Sequence, residues 1–99
     1  MNDRVKVMQI RPLSDGRPLR AFADVQLGEV VIRDFRVMKE NGKRLYVKAP
    51  FSTYKDQLGQ LKFRPIVVLP DEVRGEIDLA ILNAYQREKE RKNGKPVQF

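Results

Sequence analysis

Apolar and polar positions divide the chain into a series of short extended runs followed by one helical run. Residues 5–13 predict a first strand, with Val5 and Val7 on one face and Met8 and Ile10 on the other. Ser14-Asp15-Gly16-Arg17-Pro18 then supplies turn chemistry: Gly for a positive φ, Pro for a fixed one, Asp for a side-chain to backbone bond. The clearest strand comes next. Leu19, Ala21, Ala23, Val25 and Leu27 alternate with Arg20, Phe22, Asp24 and Gln26, the period of two that marks a half-buried strand. Gly28-Glu29 is a tight connection, and residues 30–38 predict a third strand. Its faces are Val31, Arg33, Phe35, Val37 and Val30, Ile32, Asp34, Arg36, Met38. Neither is polar throughout, so this strand calls for cover on both sides.

Asn41-Gly42 is a strong hairpin signal, since both residues accept positive φ, and it predicts a fourth strand over 44–49 that Pro50 ends. Residues 51–60 read as a loop, and 61–69 as a fifth strand in which Pro65 lacks a ladder donor and marks an edge. Asp71 is the expected N-cap of a helix running to about Lys92, with Asn93-Gly94 as its stop. Val73, Ile77, Ala80, Ile81 and Ala84 form one helical stripe, while Leu79 and Leu82 lie off it. Gly75, in the second turn, costs about 1 kcal/mol relative to Ala, which suggests either a close backbone approach there or a tolerated imperfection.

This order predicts an α+β fold, an antiparallel β-meander of about five strands with a C-terminal α-helix. A single domain over 1–92 is followed by a basic flexible tail, 93–99. A third strand and a helix that are each apolar on two sides imply an incomplete monomer. A homodimer is the commonest remedy, with Val30, Ile32, Leu79 and Leu82 as its expected interface.

Composition narrows the function. Ninety-nine residues make one domain. With no Cys there is no disulfide, thiolate metal site or Cys nucleophile; with no His there is no Ser-His-Asp catalysis. The longest apolar run, residues 66–69, is far short of a membrane span, so no membrane partner is expected. No charged-then-apolar leader opens the chain, and a cytoplasmic location is the expectation. Ser14, Ser52 and Thr53 lack a His base and read as turn or capping residues. Pro70-Asp71 followed by Glu76 is similar to the carboxylate spacing of restriction-type nucleases. Asp78, however, stands where their Lys is expected, and Asp71, Glu72, Glu76 and Asp78 all lie in one helix. Acidic residues in the first turns complement the positive end of the helix dipole, as Arg87, Lys89, Arg91 and Lys92 complement the negative end. No enzyme, metal or cofactor is expected.

Charge then points to a partner. Twenty basic residues against thirteen acidic leave +7, and the surplus is concentrated in residues 43–68. There Lys43, Arg44, Lys48, Lys55, Lys62 and Arg64 face only Asp56 and are interleaved with Tyr46, Phe51, Tyr54 and Phe63. Cations neutralise phosphates and exposed rings stack on bases, so this segment is the expected nucleic-acid surface, with Tyr54 as a stacker and Phe63 in the core. Arg87, Lys89 and Arg91 extend the basic set, although they alternate with Glu88 and Glu90 as a solvated helix end does.

Several segments resemble the stage V sporulation protein G (SpoVG) family of septation regulators. They are Val31-Ile32-Arg33-Asp34-Phe35-Arg36-Val37-Met38, Asn41-Gly42, Leu45-Tyr46-Val47-Lys48-Ala49-Pro50, Phe63-Arg64-Pro65-Ile66, Arg74-Gly75-Glu76-Ile77 and Ala80-Ile81-Leu82-Asn83-Ala84-Tyr85. The similarity covers about residues 4–85, in order. It implies an α+β fold, a homodimer, and a cytoplasmic regulator of septation that binds DNA or RNA. The family's loop after the proline matching Pro50 often carries a basic pair; here it reads Phe51, Ser52, Thr53 and Tyr54, and the first basic residue is Lys55. That departure favours an alternative: a protein–protein interaction module acting on division proteins with little nucleic-acid binding. The resemblance also gives Arg36 a structural role, bridging to Asp34 or to a dimer partner.

Overall fold

The structure is a computed structural model and describes residues 4–13 and 17–92. The Ser14-Asp15-Gly16 turn, the Asn93-Gly94 stop and the 93–99 tail lie outside the described residues. The elements are β1 (Val5–Pro12), β2 (Leu19–Leu27), β3 (Val30–Met38), β4 (Tyr46–Lys48), β5 (Phe51–Lys55), β6 (Leu61–Pro65) and α1 (Asp71–Lys92). β1 to β4 form an antiparallel sheet in chain order, β5 and β6 form a separate two-stranded sheet, and the fold is α+β. The helix covers one face of the larger sheet. Ala21, Ala23, Val25, Phe35, Val37 and Val47 meet Ile77, Ile81 and Tyr85 in a single buried cluster.

Three register shifts interrupt the sheet; one lies between Leu19 and Ala21, and the other two reset the alternation that the sequence pattern suggests. Pairing shifts between Val7 and Gln9, which leaves Met8 as the extra residue, half exposed. Val5, Val7 and Ile10 therefore all pack on the core, where plain alternation would set Ile10 opposite. The second shift lies between Ala23↔Phe35 and Val25↔Ile32, where β3 holds the extra residue. Asp34, with φ 67°, sits at this bulge in the left-handed region that Asp tolerates better than most residues. Ile32, Phe35 and Val37 thus share the core side. For these three residues the two-sided apolar pattern of β3 reflects a bulge, not a need for double cover. Val30 and Val31 stay outside, 59% and 50% exposed.

Other local expectations also change. In the Glu40–Lys43 turn, Lys43 N–H donates to the Glu40 carbonyl, and of the Asn-Gly pair only Gly42 takes a positive φ. β4 starts at Tyr46, so the β3–β4 connection spans 39–45 and is not a two-residue hairpin. The expected 51–60 loop is half strand: β5 occupies Phe51–Lys55, and the true loop is 56–60. The Asp56 carboxylate organises that loop by accepting from the Leu58 and Gln60 N–H groups, each at 2.9 Å, while Gly59 supplies φ 81°. The fifth strand of the sequence reading stops at Pro65, four residues short of 69. The helix has the expected span, but the carbonyl of Pro70 accepts its first bond, from Arg74 N–H, which places Asp71 inside the first turn and not at the N-cap. Gly75 meets nothing within 4 Å of where a Cβ would stand, so no close approach explains it.

Arg74 ties the helix to the sheet edge. It donates to the Val47 carbonyl at 2.7 Å and to Asp78 at 2.9 Å. Arg4 reaches Glu76 at 3.0 Å from the other side. The acidic residues of the first helical turns are thus largely engaged in ion pairs, and among the described residues no three acidic groups are placed to hold a metal ion. No helix among the described residues is long and apolar enough to cross a membrane.

Candidate nucleic-acid interface

The β5–β6 hairpin stands clear of the body. Its backbone packs on no other element, and side chains at its base attach it to the sheet. Arg36 lies 4.3 Å from the Phe51 ring centroid and Lys48 Nζ lies 5.0 Å from it, while Phe51 meets Phe63 edge-on at 5.4 Å. The register pairs Ser52 with Arg64 and Tyr54 with Lys62, placing these four on one face. Phe51, Thr53, Lys55, Leu61 and Phe63 occupy the other.

The sequence-derived basic set therefore divides. Tyr54, Lys62 and Arg64 come together: Arg64 sits 5.0 Å over the Tyr54 ring, and Lys62 lies 3.9 Å from Asp56. Lys55 is on the opposite face of the same hairpin, and Lys48 joins Phe51 and Phe63 there. Lys43 and Arg44 are exposed in the β3–β4 connection, separated from the hairpin by β4, with Lys43 3.7 Å from Glu40. Arg87 borders a hollow between α1 and β1, the sheet edge away from β4. Lys89 is exposed, and Arg91 is paired with Glu88 at 3.0 Å. The helix-end cations do not join the hairpin surface.

Tyr46 is half buried, with its hydroxyl donating to Glu40 at 2.7 Å. That hydrogen bond raises the tyrosine pKa above the usual 10.0; together with nearby Lys43 it lowers that of Glu40. Phe63 is not in the core but 60% exposed. Among the expected interface residues, Val30 and Leu79 are exposed, whereas Ile32 and Leu82 are partly buried against the core.

The chain matches no protein-family model and no curated protein sequence.

Two residues that sequence reasoning missed, Arg11 and Phe22, join Arg36 and Lys48 in one row across the larger sheet. Arg11 pairs with Phe22, Phe22 with Arg36, and Arg36 with Lys48, all on the face away from the helix. Arg36 is 5.5 Å from the Phe22 centroid and Arg11 is 5.9 Å from it. Arg11 holds the sheet bulge: it donates to Asp24 at 2.7 Å and to Asp34 at 2.9 Å, and Asp24 also accepts the Asp34 N–H at 3.2 Å. Asp34 is thus bridged by Arg11, and the side chain of Arg36 instead lies between the Phe22 and Phe51 rings.

Proposed function

We propose that the chain is a small dimeric nucleic-acid-binding regulator, acting in the cytoplasm on septation or gene expression as its resemblance to the SpoVG family implies. The observation that carries this reading is the projecting hairpin. It presents Tyr54, Lys62 and Arg64 on one face and Lys55 on the other, with a single acidic residue, Asp56, in the 51–65 segment. Such an arm offers phosphates a cationic surface with little internal neutralisation. Charge at a projecting tip also speeds encounter with a polyanion. The reading assigns no catalytic step and no cofactor.

A second copy fits the surface left apolar. The outer edge of β3 is paired by β4 only at Arg36–Met38, so Val30 to Asp34 present an open edge. Beside it, Val30, Val31, Ile32, Ile66 and Val67 line the apolar side of a hollow of about 440 Å³. Large exposed apolar patches on small domains mark interfaces.

Affinity for DNA and RNA is expected to fall steeply with salt, log K dropping by about 0.9 per tenfold salt for each phosphate neutralised. Lys55→Glu with Arg64→Glu is expected to weaken all sequences alike and to flatten that slope by about one for each phosphate no longer neutralised. A salt-independent affinity, or an unaltered one in the double variant, overturns the reading. The exposed Leu58, Leu61, Ile66 and Val68 favour the alternative, a module that docks on division proteins. Capture of a division protein that survives nuclease treatment, with no gel shift at low salt, selects it.

A further inference from the structure

The row across the open sheet face adds Arg11, Phe22 and Arg36 to Lys48, Phe51 and Phe63 of the basic segment, and its chemistry differs from that of the hairpin's Tyr54 face. It combines cations and rings: Arg11, Phe22, Arg36 and Lys48 stand in register on four successive strands, and Phe51 and Phe63 continue it onto the hairpin. Arg36 and Lys48 are direct cross-strand partners of like charge, an arrangement that destabilises a sheet when nothing neutralises it. Glu40 acts on Lys48 only through space, and Arg36 has no carboxylate partner among the described residues. Asp24 and Asp34 are taken by Arg11, Glu40 by Tyr46 and Lys43, and Asp56 by the hairpin loop and Lys62. The Arg36 Nε is buried without an acceptor, and the Arg36 and Lys48 side chains lie against rings. A bound anion would neutralise this pair.

We propose that this face is a stacking platform for single-stranded nucleic acid, in which Phe22, Phe51 and Phe63 receive bases while Lys48 and Arg36 receive phosphates. The inference rests on the nucleic-acid reading above and adds the strandedness of the ligand. Rings set flush in a sheet reach only bases that have left a duplex stack, because paired bases turn their faces to one another. Stacking on a ring is tolerant of sequence, so the platform selects single strands over duplexes without reading a motif. Phe63, 60% exposed at the end of the row, is where a base meets least obstruction.

The test measures fluorescence anisotropy with oligo(U) and oligo(dT) of about 12 nucleotides, a length within the site sizes of stacking proteins, and with a duplex of equal length. Phe22→Leu and Phe51→Leu keep apolar bulk and remove the ring. Each is expected to weaken single-strand binding about tenfold and to leave duplex affinity unchanged. Lys55→Glu with Arg64→Glu weakens both polymers. Wild-type affinity of the ring variants for single strands, or a duplex preference in the unaltered protein, overturns the platform while the wider reading stands. Absence of binding to either polymer at low salt overturns both. Ring variants that change the solution mass and not the affinity show that a second copy covers this face, which also overturns it. Aromatic carbon shifts of Phe22 and Phe51 in the unaltered protein, titrated with oligo(U), give an answer free of any folding defect: rings that do not move sink the proposal.

Discussion

Asp24→Ala is expected to destabilise the fold by about 2–4 kcal/mol in chemical denaturation, with an unchanged denaturant slope. Asp24 is 6% exposed and does two things at once. It accepts the Arg11 guanidinium at 2.7 Å and the backbone N–H of Asp34 at 3.2 Å. Removal leaves that N–H without its acceptor at a residue already held at φ 67°, so the bulge is deprived of the hydrogen bond that offsets its backbone strain. Arg11 is partly solvated and keeps Asp34, which puts the cost below that of a fully buried broken pair. Asp24→Asn retains an acceptor and costs less. The pH dependence follows from the same pairing. The hydrogen bond from Arg11 holds the Asp24 carboxyl below its ordinary 3.8, so over that range the unfolded chain binds more protons than the native one. The stabilisation is present above 3.8 and is lost as the pH falls below it. Stability of the unaltered protein and of Asp24→Asn is therefore expected to converge in acid. Curves that stay parallel contradict the assignment.

Phe35→Ala is expected to cost about 3–5 kcal/mol, a large share of the roughly 5–15 kcal/mol available to a domain. Phe35 has no exposed surface and is the largest fully buried side chain, held between the sheet and the helical residues Ile77 and Ile81. The informative comparison lies four residues away. Val31→Ala, at a half-exposed position on the open β3 edge, changes the stability of an isolated chain by less than about 0.5 kcal/mol. In a dimer closed over that edge, its cost rises with the area covered and varies with protein concentration. Denaturation of both variants at two concentrations separates a core position from an interface one. Concentration-independent, near-zero loss in Val31→Ala removes the β3 edge from the dimer surface.

The elements were legible because each obeys its own period. Alternation from Leu19 to Leu27 and the stripe Ile77, Ile81 did mark β2 and the helix. Single extra residues were not legible. From the Gly28-Glu29 turn, simple counting pairs Phe22 with Phe35, whereas the bulge at Asp34 pairs it with Arg36. That one-residue shift creates the Arg–Phe–Arg–Lys row, which is why no spacing in the chain announced it. β5 was hidden for another reason. A strand in an isolated ribbon has no buried face to impose alternation, and Phe51-Ser52-Thr53-Tyr54-Lys55 shows none beyond its β-branched and aromatic content. The cations Lys62 and Arg64 were visible from charge alone. Which face each occupies needed the register.

The free-standing hairpin sets its own timescale. A two-stranded ribbon is marginal in water, and this one is secured at its root by one ring held under Arg36 and Lys48. Its amide hydrogens will trade with deuterium through local opening, long before those of β2 and β3 yield to global unfolding. Isotope labelling across residues 51–65 thus becomes a gauge of occupancy, because whatever clasps the arm, polymer or twin chain, must slow that exchange in proportion to how firmly it holds.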